Sequence, residues 1–267
     1  MLVLVGGGKM GSALLGGWLD RGVASEDVIV VEPVAEQAVA LHSRGVAVVA
    51  GAEELPADLR PEVVVLAVKP QAMDTVAPVY GRFAATGTVF LSIAAGKTLA
   101  VFARLLGPRA AVVRSMPNTP AAVRRGVTVA CASPSVDAAQ RRRCQDLLEA
   151  VGACYWVDDE RLMDAVTAVS GSGPAYVFLL AECLAKAGAA AGLPAGLAAD
   201  LARATVAGSG ELLFRSPEAP ETLRKNVTSP GGTTAAALGV LMADDGLQPL
   251  MDRAIAAATR RSRDLAG

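Results

Sequence analysis

The chain is poor in the residues that usually carry proton chemistry or bind metal. Its 267 residues hold a single histidine, His42, and three tyrosines. Four cysteines, Cys131, Cys144, Cys154 and Cys183, show neither Cys-x-x-Cys nor Cys/His ligand spacing, so there is no sequence case for a metal site. Their expected state is the buried or half-buried free thiol of a reducing compartment. Aromatics are 4% of a chain that is 52% hydrophobic, so its core must be Ala, Val and Leu packed between helices and a sheet. Neither sign of charge dominates, and a net charge of -1 offers no electrostatic grip on nucleic acid or an anionic membrane. No uncharged apolar run approaches the ~20 residues of a membrane helix. The apolar start, Met1–Val5, is too short for a signal-peptide core. The expectation is a cytoplasmic protein whose native start lies near Met1.

What is present is alternation. Leu2–Val5, Val28–Val31, Val63–Val68, Val89–Ile93, Ala111–Met116 and Val127–Ala132 are short, continuously apolar and bounded by Gly, Pro or charge. Runs of that kind suit strands covered on both faces. Gly11–Arg21, Ala35–Arg44 and Asp137–Val151 read as helices between them, and His42 as a surface residue of the second. The pattern predicts an α/β Rossmann domain, with a doubly wound, mostly parallel sheet, over residues 1–157. From Asp158 onward strands disappear. Helical periods run through Arg161–Val169, Ala175–Ala191, Ala195–Leu213 and Thr234–Ala266, giving an all-α domain over 158–267. Pro174, in Gly171-Ser172-Gly173-Pro174, must break or kink the first of these because it has no N–H to donate. Pro220 or Glu221 opens a short helix. A helical domain of this size and composition cannot bury its apolar faces alone, so it is expected to pack against a second copy.

The turn Gly6-Gly7-Gly8-Lys9-Met10-Gly11 follows the first strand and opens a helix, and Glu32 ends the second strand about 20 residues later. In that context Gly6 permits the tight turn, Gly8 lets the backbone approach a pyrophosphate, and Gly11 allows close helix–strand packing. The helix start then offers unpaired N–H groups to the phosphates. Glu32 is placed to hydrogen-bond ribose hydroxyls and to repel a 2′-phosphate. Pro33–Gln37 supplies no Arg or Lys to offset that, which favours NADH over NADPH. The competing reading has Glu32 facing solvent and both cofactors in use. Val68-Lys69-Pro70 and Ala95-Gly96 end two other strands at the sheet edge where a dinucleotide would lie.

A second glycine turn, Ser229-Pro230-Gly231-Gly232-Thr233-Thr234, runs into a strong helix former. Thr233 or Thr234 is the expected N-cap, and exposed N–H groups there would hold a carboxylate or phosphate. Oxidising an alcohol needs a proton acceptor, commonly His, Lys or Tyr. His42 is badly placed, and the helical half has only Lys186, Lys225 and Tyr176. Reducing a C=N bond asks less: an iminium arrives electrophilic, takes hydride and leaves as an amine that keeps its proton. Such a reaction needs positioning, a carboxylate anchor and one hydroxyl near nitrogen. Thr234 is the candidate catalytic hydroxyl, and Ser229, Gly231, Gly232 and Thr233 the rest of the substrate cradle.

These motifs, with Arg114-Ser115-Met116-Pro117-Asn118-Thr119-Pro120, Ser170–Tyr176 and Asn226–Thr234, resemble pyrroline-5-carboxylate reductase in order and spacing across the whole chain. The resemblance implies NAD(P)H-dependent reduction of L-1-pyrroline-5-carboxylate to L-proline, the last step of proline synthesis. It implies a Rossmann domain followed by a helical dimerisation domain, with homodimers often assembled into decamers and helices of the partner shared at the active site. Carried over by motif, Val68, Lys69 and Ala95 become cofactor contacts, Met116 and Asn118 lie near the nicotinamide, and Asn226 lies close to the cofactor. Two departures stand out. Many members have Ser or Thr at Glu32, which suits a 2′-phosphate, and many have Asn where this chain reads Ala50-Gly51-Ala52-Glu53-Glu54.

Other readings compete. A β-hydroxyacid dehydrogenase relative would want a catalytic Lys in the first long helix of the second domain, and Gly171–Pro174 shows none. A reductase of another cyclic imine differs only in pocket volume. A non-catalytic dinucleotide sensor should have lost one of its two glycine turns, and both are intact.

Overall fold

Continuous Val- and Leu-rich runs form strands here because helices cover both of their faces. The computed structural model describes residues 1–266, with side chains through 265. Its strands are β1 (Leu2–Val5), β2 (Val28–Val31), β3 (Ala47–Val49), β4 (Val63–Leu66), β5 (Val89–Ser92), β6 (Ala111–Met116), β7 (Gly126–Ala132) and β8 (Gly152–Trp156). They join into one sheet in the order β3-β2-β1-β4-β5-β6-β7-β8. Every neighbouring pair is parallel except β6 and β7, where Arg114 lies opposite Cys131.

Helices α1 (Lys9–Asp20), α2 (Ala35–His42), α3 (Met73–Val76), α4 (Leu99–Leu106), α5 (Ala138–Glu149) and α6 (Met163–Val166) belong to the same unit. Successive residues of β1 point to opposite faces. Leu4 joins an apolar layer with Leu14, Leu15 and Trp18 of α1 and Cys144 and Leu148 of α5. Val3 and Val5 join the other, with Met73, Tyr80, Phe83 and Phe102. Trp18 donates its indole N–H to the Leu147 carbonyl at 2.9 Å, tying α1 to α5. Asp137 and Gln140 form a reciprocal capping box at the start of α5, so Asp137 is the cap of that helix and not its first residue.

The sheet extends beyond the expected six strands. β3 is a three-residue edge strand and β8 alternates in exposure along its length, so both carry a weaker signal than the strands buried on both faces. Two strands end early: β4 stops at Leu66 and β5 at Ser92, which frees Ala67–Lys69 and Ile93–Gly96 as loops. α4 was not expected.

The chain divides into two compact units, residues 1–171 with 258–267, and residues 172–257. The second is helical: α7 (Gly173–Ala190), α8 (Ala195–Arg215), α9 (Pro220–Asn226), α10 (Thr233–Leu241) and most of α11 (Leu247–Ala266). The single helix expected over Thr234–Ala266 is therefore two, parted by a turn at 242–246 containing Asp244-Asp245-Gly246. Pro220 does open α9. α7 and α8 form a hairpin whose turn contains Gly192 at φ +103°. Of the described side chains in 172–257, only those of Ala198 and Ala202 are buried among the hydrophobic residues, while Phe178, Leu179, Leu180, Leu197, Leu201 and Leu212 are exposed. Residues 160–190 form one helical run long and apolar enough in composition to cross a membrane, although Glu182 and Lys186 interrupt it with charge.

The kink required before Pro174 takes a specific form. α6 passes into a π turn over Thr167–Gly171 before α7 begins at Gly173.

Candidate active site

The strand order reverses direction between β1 and β4, and the loops leaving those two strands flank one cleft of about 790 Å³. Open parallel sheets bind nucleotides at such switch points. The glycine turn forms one wall. Gly6 adopts φ +98°, and a Cβ there would lie 2.8 Å from the Ala67 carbonyl oxygen. A Cβ on Gly11 would collide with the Gly6 carbonyl, so the close packing of turn, β4 edge and α1 depends on both glycines. Gly8 differs: it lines the cleft, and a Cβ there would meet only open space. Gly8 is also the N-cap of α1, and no side chain caps the helix. Its first N–H groups remain available to an anion. The cradle fits a dinucleotide pyrophosphate. Lys9 begins α1 exposed, while Met10 packs against the core beneath.

Glu32 is only 6% exposed and lines the cleft. One carboxylate oxygen accepts from the Gly7 N–H at 2.7 Å and the other from the Val34 N–H at 2.9 Å. It therefore braces the glycine turn as well as presenting acceptors to the cleft, and the reading that places it toward solvent fails. Val68 and Lys69 line the same cleft, and Pro70 follows at the start of a short 3-10 turn.

Glu53 lines the cleft from the segment noted as departing from the family, Ala50–Glu54, whereas Tyr80 and Arg82 escaped sequence reasoning. Tyr80 and Arg82 come from an irregular 3-10 stretch, 77–86, with no motif to mark it. Arg82 adds a cation that Pro33–Gln37 lacks. Burial first, and then the charge of Glu53, push the Tyr80 hydroxyl up to about 12, so it stays a neutral hydrogen-bonding group.

Ala95 is half-buried and Gly96 is buried at φ +74° in the loop after β5. Met116 ends β6, and its terminal methyl packs against Gly171 of the π turn. Asn118 is 8% exposed, and its carboxamide bonds to backbone at both ends. Its oxygen accepts from the Val127 N–H at 2.9 Å, and its nitrogen donates to the Ser170 carbonyl at 3.1 Å.

In the helical unit the second glycine turn differs from expectation in one respect. Neither threonine caps α10. Gly232 is the N-cap, Thr233 and Thr234 are the first two helical residues, and no side chain bonds to the helix start. Gly231 sits at φ +71°, and the Gly232 N–H donates to the Ser229 carbonyl at 3.0 Å, closing the turn. The uncapped N–H groups of this nine-residue helix are left open at its start, as those of α1 are. Ser229 and Thr233 are exposed, and Thr234 is half-buried. Asn226, the last residue of α9, is exposed and reaches Glu218 at 3.4 Å. Lys225 is paired with Glu221 at 2.6 Å. Among the described residues, no cluster of His, Cys, Asp and Glu could hold a metal ion.

Comparison with known proteins bears on both halves. A family model described as pyrroline-5-carboxylate reductase dimerisation matches residues 160–265, and one described as NADP oxidoreductase, coenzyme F420-dependent, matches residues 1–96. The pyrroline-5-carboxylate reductase of Pseudomonas aeruginosa is 41% identical over 266 residues, covering 99% of this chain and 96% of its own length. The chain belongs to the pyrroline-5-carboxylate reductase family. The Haemophilus influenzae pyrroline-5-carboxylate reductase is 37% identical, with 99% of this chain and 97% of its own covered. Among solved structures, the Coxiella burnetii pyrroline-5-carboxylate reductase superimposes with a TM-score of 0.93 at 32% identity, covering 100% of this chain and 98% of its own. The Plasmodium falciparum pyrroline carboxylate reductase, solved with NADP bound, gives 0.83 at 28% identity with the same coverage. The exposed apolar faces of α7 and α8 fall within the dimerisation match.

Proposed function

We propose that this chain reduces the C=N bond of L-1-pyrroline-5-carboxylate with NAD(P)H to give L-proline, the closing reaction of proline biosynthesis. One observation carries the reading: an intact dinucleotide cradle at Gly6–Gly11 coexists with an uncapped helix start at Gly232–Thr234, in a chain 41% identical throughout to a reductase of that name. The functional division runs between a cofactor half, 1–157, and a substrate and dimerisation half, 158–267.

When bound, the reduced nicotinamide supplies the hydride that the imine carbon accepts. The protein's task is to hold both partners. The α1 N–H groups, with Gly6, Gly8, Lys9, Met10 and Gly11, bind the pyrophosphate. Glu32 accepts from the ribose hydroxyls, while Val68 and Lys69 border the same cleft and Pro70 follows them into the next turn. Ala95, Gly96, Met116 and Asn118 form the edge that receives the nicotinamide, and Asn226 is assigned a cofactor contact on the family motif alone. The α10 N–H groups of Gly232, Thr233 and Thr234 take the substrate carboxylate, and the Thr234 hydroxyl hydrogen-bonds the ring nitrogen. No general base is needed, because the iminium nitrogen keeps its proton as the product amine.

The cofactor preference tilts towards NADH, because the buried Glu32 carboxylate opposes a 2′-phosphate. Arg82 supplies the charge that lets NADPH serve as well. The reaction belongs in the cytoplasm, which four free thiols support. The active species is a homodimer, and the larger assembly is a decamer.

The test is cofactor oxidation in the presence of the imine, followed with NADH and NADPH in parallel and with proline assayed as product. Wild-type protein should oxidise both, NADH faster, and Glu32→Ser should shift the ratio towards NADPH. Nucleotide binding without turnover would point instead to another cyclic imine or to a sensor. An unchanged ratio in Glu32→Ser would remove Glu32 from cofactor selection.

A further inference from the structure

The π turn ahead of α7 leaves one backbone carbonyl without a helical partner. In an α-helix the Ser170 carbonyl would accept from residue 174, which is proline and has no N–H. In a π turn it would accept from residue 175, but the Ala175 N–H donates to the Ser172 carbonyl at 3.0 Å. The Asn118 carboxamide nitrogen fills the gap at 3.1 Å, while the carboxamide oxygen accepts from the Val127 N–H at the start of β7. Asn118 is 8% exposed, so water is a poor substitute for either bond. Two residues earlier, the Met116 methyl lies against Gly171, where even a Cβ would collide with it. The Met116–Asn118 loop is thus pinned at both ends, and its pinning depends on Pro174.

We infer that Asn118 is a positioning residue, holding the Met116–Asn118 loop in register by supplying the hydrogen bond that Pro174 withholds from Ser170. This rests on the reading above that the loop forms the edge receiving the nicotinamide. Of the four side-chain hydrogen-bond sites of an asparagine, the two backbone bonds take one donor and one acceptor in opposite directions. Aspartate is nearly the same shape but has no donor. At this position it keeps the bond from Val127 and sets an anionic oxygen against the Ser170 carbonyl.

The experiment is a double-mutant cycle on the full chain, combining Asn118→Asp with Pro174→Ala. Asn118→Asp alone should lower kcat roughly 10- to 100-fold, the scale of a slightly misplaced reacting pair, with the KM for NAD(P)H changed less than threefold. Pro174→Ala restores an N–H four residues after Ser170, so Asn118→Asp in that background should cost less than about threefold in kcat. Thermal midpoints of all four proteins report the same coupling independently of turnover, and Asn118→Ser is the second variant if Asn118→Asp does not fold. Additive effects of the two substitutions on both kcat and midpoint would overturn the bond accounting. Coupled midpoints with unchanged kcat would show that the bond stabilises the fold without positioning the loop. A wild type that binds dinucleotide yet leaves the imine untouched would overturn the functional reading and this inference with it, a result recognisable before any variant is made.

Discussion

At the scale of single residues, the proposed substrate end rests on a helix start that no side chain caps. Had Thr233 or Thr234 been the N-cap, its oxygen would compete with a carboxylate for the first N–H groups of α10. With Gly232 in that place, those N–H groups remain free and Thr234 keeps its hydroxyl for another partner. Thr234→Ala should cut kcat by roughly 10- to 1000-fold, the range for losing one positioned donor, while leaving cofactor binding intact. Steady-state kinetics beside a cofactor titration checks it, and unchanged kcat would remove Thr234 from the mechanism. The glycine turn, Glu32 and the Ser229–Thr234 loop were legible in the sequence because short-range spacing determines them. Tyr80 and Arg82 were not. They reach the cleft only through the strand reversal between β1 and β4, and a crossover leaves no local pattern around the residues it delivers.

At the scale of elements, strands covered on both faces were readable as continuous apolar runs, and β8 was missed because one of its faces is half-open. Exposure alternates along Gly152–Trp156, and Tyr155 is 61% exposed. β8 nonetheless packs on α5, and that contact brings Cys154 near Cys144. Burial pushes the Cys144 thiol from 9.0 up to about 12, with the neighbouring Cys154 adding to the effect. Cys154 itself rises to about 11, again mainly through burial. A thiol whose folded pKa is raised contributes stability that is fully present below pH 9, the unfolded value, and is lost as pH climbs towards 12. At pH 10.5 the Cys144 contribution to that loss is about 2 kcal/mol, taking 1.36 kcal/mol for each pH unit above the unfolded value. Cys144→Ala should flatten the alkaline decline by that amount, at the cost of about 1 kcal/mol at pH 8 from the small cavity left behind. Urea unfolding of both proteins at pH 8 and pH 10.5 measures the difference, and parallel declines would show that Cys144 does not titrate late.

At the scale of the whole molecule, the helical unit leaves its largest apolar side chains in water. Phe178 is 62% exposed, Leu180 51% and Leu201 47%, on two long helices where one chain buries little beyond Ala198 and Ala202. Exposed apolar faces of this kind mark an interface, and obligate partners bury them as a domain buries its core. The matched dimerisation family supplies the partner's identity: a second copy of the same chain. Sedimentation of the wild type should therefore give at least twice 27.1 kDa, with no monomer at micromolar concentration. Phe178→Asp places a charge on that face and should favour monomers with little activity. A folded, active monomer would sink the interface and leave the α7 and α8 faces to another partner. A monomer that stays in solution only with detergent would assign the apolar run at 160–190 to lipid. An interface between copies accommodates Glu182 and Lys186, which lie in the C-terminal third of that run. A face against a second protein surface can place such charges at its rim, in water, whereas a lipid core would have to solvate them.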